Sequence, residues 1–155
     1  MSDDPHAKTK TETATADDVL ASHPDEPELL AAFEATMAAW AGGDANAFAD
    51  GYAEDATVVL PGVHLSGRAD IRARMGDAFA GPLKHSQRIH QVRGIRSLGP
   101  AGSPGDHAVI VLTRSATVFA GEAEPPADRW ELATWTLSRR DDRWLVEAYH
   151  SSPAA

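Results

Sequence analysis

The sequence predicts an α+β domain in which helices precede a curved antiparallel sheet. Apolar residues recur at helical spacing as far as about residue 80, and strand-like segments follow from residue 84 onward. Helices followed by a run of strands indicate an α+β arrangement, in which the helices cover one face of the sheet. We expect about three N-terminal helices over a strongly bent sheet, and therefore a cone-shaped domain that encloses a pocket.

Capping residues and glycines mark the ends of three predicted helices. The first begins near Asp25, ends at Gly42-Gly43 and carries the apolar stripe Leu29, Leu30, Phe33, Met37, Trp40 and Ala41. Asp44 can cap a short second helix. The third helix opens after Ser66-Gly67, and its inner stripe is Ile71, Met75, Ala78 and Phe79.

Turn residues bound the predicted strands. A small hairpin turns at Pro61-Gly62, with its arms at 57–60 and 63–65. Four longer strands follow, at 84–98, 106–120, 128–139 and 143–151. Segments rich in glycine and proline at 99–105 and 121–126 separate them, and a tight charged turn lies at 139–143.

The chain of 155 residues suits a single domain. Residues 1–24 contain almost no large apolar side chain and cannot bury enough area to offset the entropy of ordering, so we predict a disordered acidic leader there. The cone domain is expected at 25–152, with a short tail at 153–155. Of the net charge of −9, residues 1–28 contribute −6, so the rest of the chain is nearly balanced.

Composition excludes several classes of protein. The sequence has no run of about 18 apolar residues, so we expect no membrane span, and its acidic start is unlike a secretory signal. The absence of cysteine excludes disulfides and thiolate chemistry and favours the cytoplasm. A net acidic surface argues against nucleic acid as a partner. We interpret the basic stretch Arg88, Arg93 and Arg96 as solvated strand positions.

Four motifs carry a resemblance to a known family. They are WAGGD at 40–44, FADGYAEDA at 48–56, LSGRADI at 65–71 and WLVEAYHS at 144–151. Together they resemble the SnoaL-like branch of the nuclear-transport-factor-like superfamily, and most closely its SgcJ/EcaC group, over about residues 28–152. The resemblance implies a cone-shaped barrel and a homodimer packed through the sheet.

Relatives of SgcJ occur with enediyne and other polyketide biosynthetic machinery. The resemblance therefore implies a hydrophobic, polyketide-derived ligand and biosynthetic enzymes as partners, without defining a reaction. The sequence contains no dinucleotide fingerprint, flavin motif or metal-ligand spacing, so we expect neither a cofactor nor a metal.

Three residues are candidates for catalysis. Asp55 and Tyr52 stand at the helix-to-strand junction that forms the mouth of the cone in relatives. Asp55 is a candidate general acid or base if the pocket desolvates it, and a turn residue otherwise. Tyr52 is a candidate hydrogen-bond donor to a ligand carbonyl, and otherwise a core residue. His150 is either a proton carrier in the cavity or a structural histidine. It ends a strand face that comprises Trp144, Val146, Ala148 and His150.

Six further residues are candidates for ligand contacts: Trp40, His64, Phe79, His85, Trp130 and Trp135. The default role of the aromatic residues is packing. Trp130 and Trp135 are an odd number of residues apart, which puts them on opposite faces of a regular strand. Glu131 shares a face with Trp135 and becomes an acid candidate if that face is interior. His85 and His90 point to opposite faces and cannot chelate one metal together.

The strand segment 108–112 is apolar on both faces. A strand in a sheet with one solvated face would alternate between apolar and polar residues. We therefore expect helices or a cavity inside this strand and a second subunit outside it. The pattern predicts a homodimer independently of the resemblance.

Three hypotheses of function remain open. In the first, the protein binds or converts a hydrophobic polyketide intermediate by cofactor-free proton transfer, as a cyclase, isomerase or dehydratase. In the second, it is a non-catalytic binder that sequesters a product or assists a polyketide synthase. In the third and weakest, it is a dimerisation module whose cavity is filled by side chains.

Overall fold

The computed structural model describes residues 23–99 and 108–154 of the chain. The helices are α1, Glu26–Ala41; α2, Ala45–Asp50; and α3, Arg68–Ala80. The strands are β1, Tyr52–Leu60; β2, Val63–Ser66; β3, Gln87–Ser97; β4, Ala108–Val118; β5, Glu131–Arg140; and β6, Arg143–Pro153. A short 3-10 helix, Ala127–Arg129, precedes β5. The predicted helices and strands are therefore present in the predicted order.

The six strands form one curved sheet in the order β2-β1-β6-β5-β4-β3, and its edges stay apart in the described part of the chain. The helices pack on one face, which confirms the predicted α+β class. Four strand pairs are antiparallel, but β1 and β6 are parallel, so the sheet is mixed rather than wholly antiparallel. The chain enters β6 from β5 and not through a hairpin with β1, so no tight turn imposes an antiparallel pairing there.

A β-bulge in β6 reverses the inward-facing pattern of that strand. The register against β5 shifts so that Glu147 becomes an extra residue. Because of this insertion, Val146 and Tyr149 are both buried although they are three residues apart. His150 is exposed and does not continue the inner face that begins with Trp144 and Val146. Two further register shifts, in β1 and β3, disturb alternation in those strands.

The helices turn most of the predicted apolar stripes inward, although Ala41 of the first stripe is exposed. The most deeply buried members are Leu29, Phe33, Ile71 and Phe79. The Asp44 carboxylate accepts the N–H of Ala47 at 3.0 Å and caps α2 as predicted, whereas Asp25 makes no side-chain cap on α1. None of the helices in residues 23–99 and 108–154 has both the length and the apolar character needed to span a bilayer.

The described residues add detail at both ends of the domain. Residues 1–22 of the predicted leader lie outside them, as do residues 100–105 of the predicted loop. His23 is within hydrogen-bond distance of Ser97 on β3, with Nε2 and Oγ 3.0 Å apart. At the other end, β6 continues to Pro153, and the N–H of Ala154 donates to the Trp130 carbonyl at 2.9 Å.

Gly67 joins β2 to α3 in a conformation that favours glycine. Its φ is +89°, and an added Cβ would lie 3.2 Å from the carbonyl oxygen of Glu54. Gly62, in the preceding turn, has a φ of +75° but open space around it.

We predict that Gly62→Ala lowers the free energy of unfolding by about 1 kcal/mol, and Gly67→Ala by about 2–3 kcal/mol, because only the second adds a close contact to the backbone strain. Urea unfolding of both variants measures the difference, and equal losses would contradict the prediction.

Candidate functional site

A cavity of about 560 Å³ lies between the helices and the inner face of the sheet. Most of its wall is apolar and includes Trp40, Phe48, Val58, Leu65, Ile71 and Met75. Aromatic rings pack against one another here: the Trp40 ring lies edge-on to Phe48, also in the wall, and to Phe79 behind the wall, with centroids 5.8 and 5.5 Å away. The predicted hollow is therefore present, and side chains do not fill it.

The other end of the cavity is polar and centres on Arg88, whose side chain is only 9% exposed. Its Nη1 lies 2.8 Å from Glu131 Oε2 and donates to Thr117 Oγ1 at 2.9 Å. Its Nη2 donates to the hydroxyl of Tyr149 at 3.1 Å. Strands β3 to β6 thus each supply one member of what we call the arginine cluster, which comprises Arg88, Thr117, Glu131 and Tyr149.

Glu131 balances the charge of Arg88 inside the protein. Its second oxygen, Oε1, accepts a hydrogen bond from the hydroxyl of Ser151 at 3.0 Å. Burial acts to lower the pKa of Arg88, but Tyr149 and Glu131 raise it and prevail, so the guanidinium stays charged. Additional hydrogen bonds of this kind are what make a buried ion pair tolerable. The pair as a whole brings no net charge to the cavity.

His90 lies on the same face of β3 and also lines the cavity. Its Nδ1 is 2.8 Å from the hydroxyl oxygen of Ser115, and its ring packs edge-on against Phe33 and Trp135. Burial, reinforced by the positive charge of Arg88, lowers the pKa of His90 to about 3. The imidazole is therefore neutral at pH 7.

Tyr52 brings a phenol to the cavity from β1. Its ring packs against Phe48, with centroids 5.3 Å apart, and the residue is buried. Burial and the neighbouring Tyr149 raise the pKa of Tyr52, against an opposing effect of Arg88, so the hydroxyl stays protonated. Within residues 23–99 and 108–154 the hydroxyl has no hydrogen-bond partner, so its proton is available to a ligand.

The structure brings some of the sequence candidates to the cavity. Tyr52, Trp40 and Trp135 line it, and Phe79 is buried behind Trp40. Glu131 was a candidate only if the strand face that it shares with Trp135 is interior, and that face does line the cavity. The five side chains therefore surround or support one space.

Five other candidates lie outside the cavity lining: Asp55, His64, His85, Trp130 and His150. Asp55 belongs to the irregular part of β1 and is exposed, as are His64 and His85. The Trp130 ring is covered by the guanidinium of Arg114, 3.8 Å from its centroid, away from the cavity. His150 lies outside the cavity because of the bulge in β6, which simple alternation along the strand does not predict.

Sequence reasoning missed the centre of the polar end. The sequence pattern predicts that Arg88, Arg93 and Arg96 are all solvated, but only Arg93 and Arg96 are exposed. The signal was the spacing of Arg88 and His90, which are two residues apart and so share a face of β3. On the neighbouring strand β4, every second residue carries a buried hydroxyl, at Thr113, Ser115 and Thr117.

The described histidines and carboxylates do not gather for a metal. His90 faces the cavity, whereas His85 is exposed near the end of the segment that precedes β3. Within the described residues no group of three or more His, Asp or Glu side chains could hold a metal ion.

Comparison with known families identifies the class of protein. The SnoaL-like domain model matches residues 33–147, which is most of the chain. The protein therefore belongs to the SnoaL-like family, as the sequence motifs predicted. No curated protein matches the chain significantly.

Solved structures share the fold at low sequence identity. A cystatin-like domain of unknown function from Nostoc punctiforme matches with a TM-score of 0.74 at 23% identity, over 86% of this chain and 80% of that one. A putative calcium/calmodulin-dependent protein kinase II association domain from Xanthomonas campestris gives 0.68 at 22% identity, over 91% and 94%. ActVI-ORFA from Streptomyces coelicolor gives 0.62 at 21% identity, over 83% and 96%. These similarities support the fold alone.

The lowered pKa of His90 predicts a loss of stability in acid. The unfolded chain takes up a proton near the ordinary value of 6.5, whereas the folded one resists protonation down to about 3. Acidification from pH 7 to pH 4 therefore favours the unfolded state at this residue. We predict that the free energy of unfolding falls more steeply over this range in the wild type than in His90→Asn. Urea unfolding at each pH measures both slopes, and identical slopes would contradict the buried, neutral histidine.

Proposed function

We propose that the protein binds a hydrophobic, oxygen-bearing intermediate of polyketide natural-product biosynthesis in this cavity. The observation that carries the proposal is an apolar wall that ends in the buried arginine cluster. A pocket of this size and character, with a few convergent polar groups, is typical of small-molecule sites. The apolar wall favours a hydrophobic skeleton, and the polar end offers hydrogen bonds to its oxygen.

The polyketide part of the proposal rests on the sequence motifs. They resemble the SgcJ/EcaC group, which occurs with enediyne and other polyketide machinery, and the family model supports the broader SnoaL-like assignment. On this basis we also propose a cytoplasmic location and polyketide biosynthetic enzymes as partners.

We further propose that the cavity converts its ligand by cofactor-free proton transfer. Glu131 is the carboxylate of the polar end, and Tyr52 is a protonated donor on the same cavity. Glu131 would remove a proton next to a ligand carbonyl, and the electron pair of the C–H bond would move onto the carbonyl oxygen. Donors such as the Tyr52 hydroxyl stabilise the resulting enolate. Return of the proton to another carbon gives an isomer, and attack by the enolate on a second carbonyl gives a ring.

A non-catalytic role is the second candidate. Both oxygens of Glu131 are already engaged, one by Arg88 and the other by Ser151. A carboxylate held in this way serves to neutralise a buried arginine, and proton abstraction would use one of its remaining lone pairs. Under this alternative the protein holds or delivers the ligand and relies on the shape of the cavity alone.

A hydrophobic ketone separates the two roles. We predict that the protein binds 2-tetralone, quenching the fluorescence of Trp40 and Trp135 in the cavity wall, and accelerates deuterium uptake at its α-carbons in D₂O. Glu131→Gln should lower the exchange rate about 100-fold, and Tyr52→Phe should lower it while leaving the Arg88–Glu131 pair intact. Glu34→Gln, an exposed carboxylate on α1, is the matched control.

The outcomes discriminate between the candidates. Binding without accelerated exchange would support the non-catalytic role. Loss of exchange in Asp55→Asn or His150→Ala, with full rates in Glu131→Gln, would instead support the sequence-based catalytic residues. Absence of binding would contradict the proposed function altogether. Circular dichroism of each variant shows that the fold persists.

We also propose that a second copy of the chain covers the outer face of the sheet. Leu112 and Leu132 are exposed there, each at 44%. The register of β4 and β5 makes them diagonal neighbours, because Leu112 pairs with Thr134 and Leu132 pairs with Arg114. Exposed leucines in neighbouring strands form the apolar centre that a symmetric dimer interface needs.

The dimer is tested by placing a charge on this face. We predict that the wild type sediments at twice the mass of one chain and that Leu132→Arg sediments as a monomer, because two like charges would meet across the two-fold axis. Asn46→Arg, on the exposed side of α2, should remain dimeric. A monomeric wild type, or a dimeric Leu132→Arg, would contradict the proposed interface.

A further inference from the structure

A row of hydrogen bonds runs along the inner face of the sheet beneath the cavity. The Trp135 Nε1–H donates to Thr113 Oγ1 at 2.9 Å. Thr113 Oγ1 lies 2.9 Å from Ser115 Oγ, which lies 2.8 Å from His90 Nδ1. The strand register explains the row, because Ser115 pairs directly with His90 and Thr113 lies diagonally opposite Trp135.

The direction of these hydrogen bonds follows from the first donor. An indole N–H only donates, so Thr113 Oγ1 accepts from Trp135. Thr113 and Ser115 have no exposed surface, and a buried hydroxyl proton needs an acceptor. If Thr113 donates to Ser115, and Ser115 donates to His90 Nδ1, both hydroxyl protons have an acceptor. With the opposite direction, the Thr113 proton has no acceptor among the described residues.

We infer that Trp135, Thr113 and Ser115 act as positioning residues that fix the proton of His90 on Nε2. A neutral imidazole carries one N–H, and here Nδ1 is occupied as an acceptor. Nε2 has no hydrogen-bond partner in residues 23–99 and 108–154, and His90 lines the cavity. His90 therefore offers the cavity an N–H donor that carries no charge.

This inference deepens the proposed function, on which its ligand class rests. The Tyr149 hydroxyl accepts from Arg88, so its own proton is unused among the described residues, as is that of Tyr52. Together with His90 these hydroxyls make a polar end that is rich in donors. Such an end matches a neutral hydrogen-bond acceptor, a ketone or quinone oxygen. A cationic amine would meet these protons and the guanidinium of Arg88 instead, and the Glu131 carboxylate there is already engaged by Arg88 and Ser151.

Nitrogen NMR of the histidine rings tests the positioning role without any ligand. The signals of His90 are assigned by their loss in His90→Gln. At pH 7 we expect limiting shifts for a protonated Nε2 and an unprotonated Nδ1 in the wild type and in Thr113→Ser, which keeps the hydroxyl. Ser115→Ala removes the hydroxyl that donates to Nδ1, so its shifts should become averages of two tautomers. A protonated Nδ1 in the wild type, or the same limiting shifts in Ser115→Ala, would overturn the inference.

The ligand class is tested with two rings of the same shape, 9-fluorenone and fluorene, which differ in the carbonyl oxygen. We expect the wild type to bind the ketone roughly tenfold more tightly than fluorene, and the carbonyl stretching frequency to be lowered in the complex. In His90→Phe the ratio of the two affinities should fall. Equal affinities for the two rings in the wild type would overturn the ligand class. If neither ring binds, the proposed function fails, and the NMR result still decides the proton position.

Discussion

The buried guanidinium of Arg88 is the constraint on which the rest of the site depends. A charge taken out of water is costly, and it persists only where a counter-charge and hydrogen-bond acceptors surround it. Arg88 obtains them from Thr117, Glu131 and Tyr149, on the three strands that follow β3 in the chain. The ion pair fixes how those strands stand relative to one another at the polar end, and its charge helps keep His90 neutral.

The bulges of the sheet decide which side chains meet Arg88. Without the extra residue at Glu147, Tyr149 would face away from the interior, and the position of His150 would lie inside. The same feature that bends the last strand thus selects a phenol rather than an imidazole for the cavity. Bulges also bend the strands and so help to curve the sheet under the helices, which links the shape of the cavity to its chemistry.

Membership of the SnoaL-like family accounts for the architecture and leaves the chemistry to the individual chain. In this protein the apolar wall comes from the helices, β1 and β2, whereas the polar end comes from β3 to β6. Neither half alone makes a selective site. The apolar wall lowers the local dielectric constant next to the polar end, and in that setting each hydrogen bond offered by Tyr52, Tyr149 or His90 is stronger than it would be in solvent.

The sequence by itself determined the fold class, the order of the helices and strands, the Asp44 cap and the family, because these depend on local periodicity, turn residues and short motifs. Among the candidate residues that it named, Trp40, Tyr52 and Trp135 line the cavity. Only the tertiary structure decided the parallel pairing of β1 with β6, the burial of Arg88 and the exposure of Asp55 and His150. The physical reason is that alternation along a strand predicts which side chains face inward, and one inserted residue reverses that assignment for the rest of the strand. In addition, the partners that make a buried arginine tolerable lie on other strands, so the local sequence around Arg88 does not reveal them.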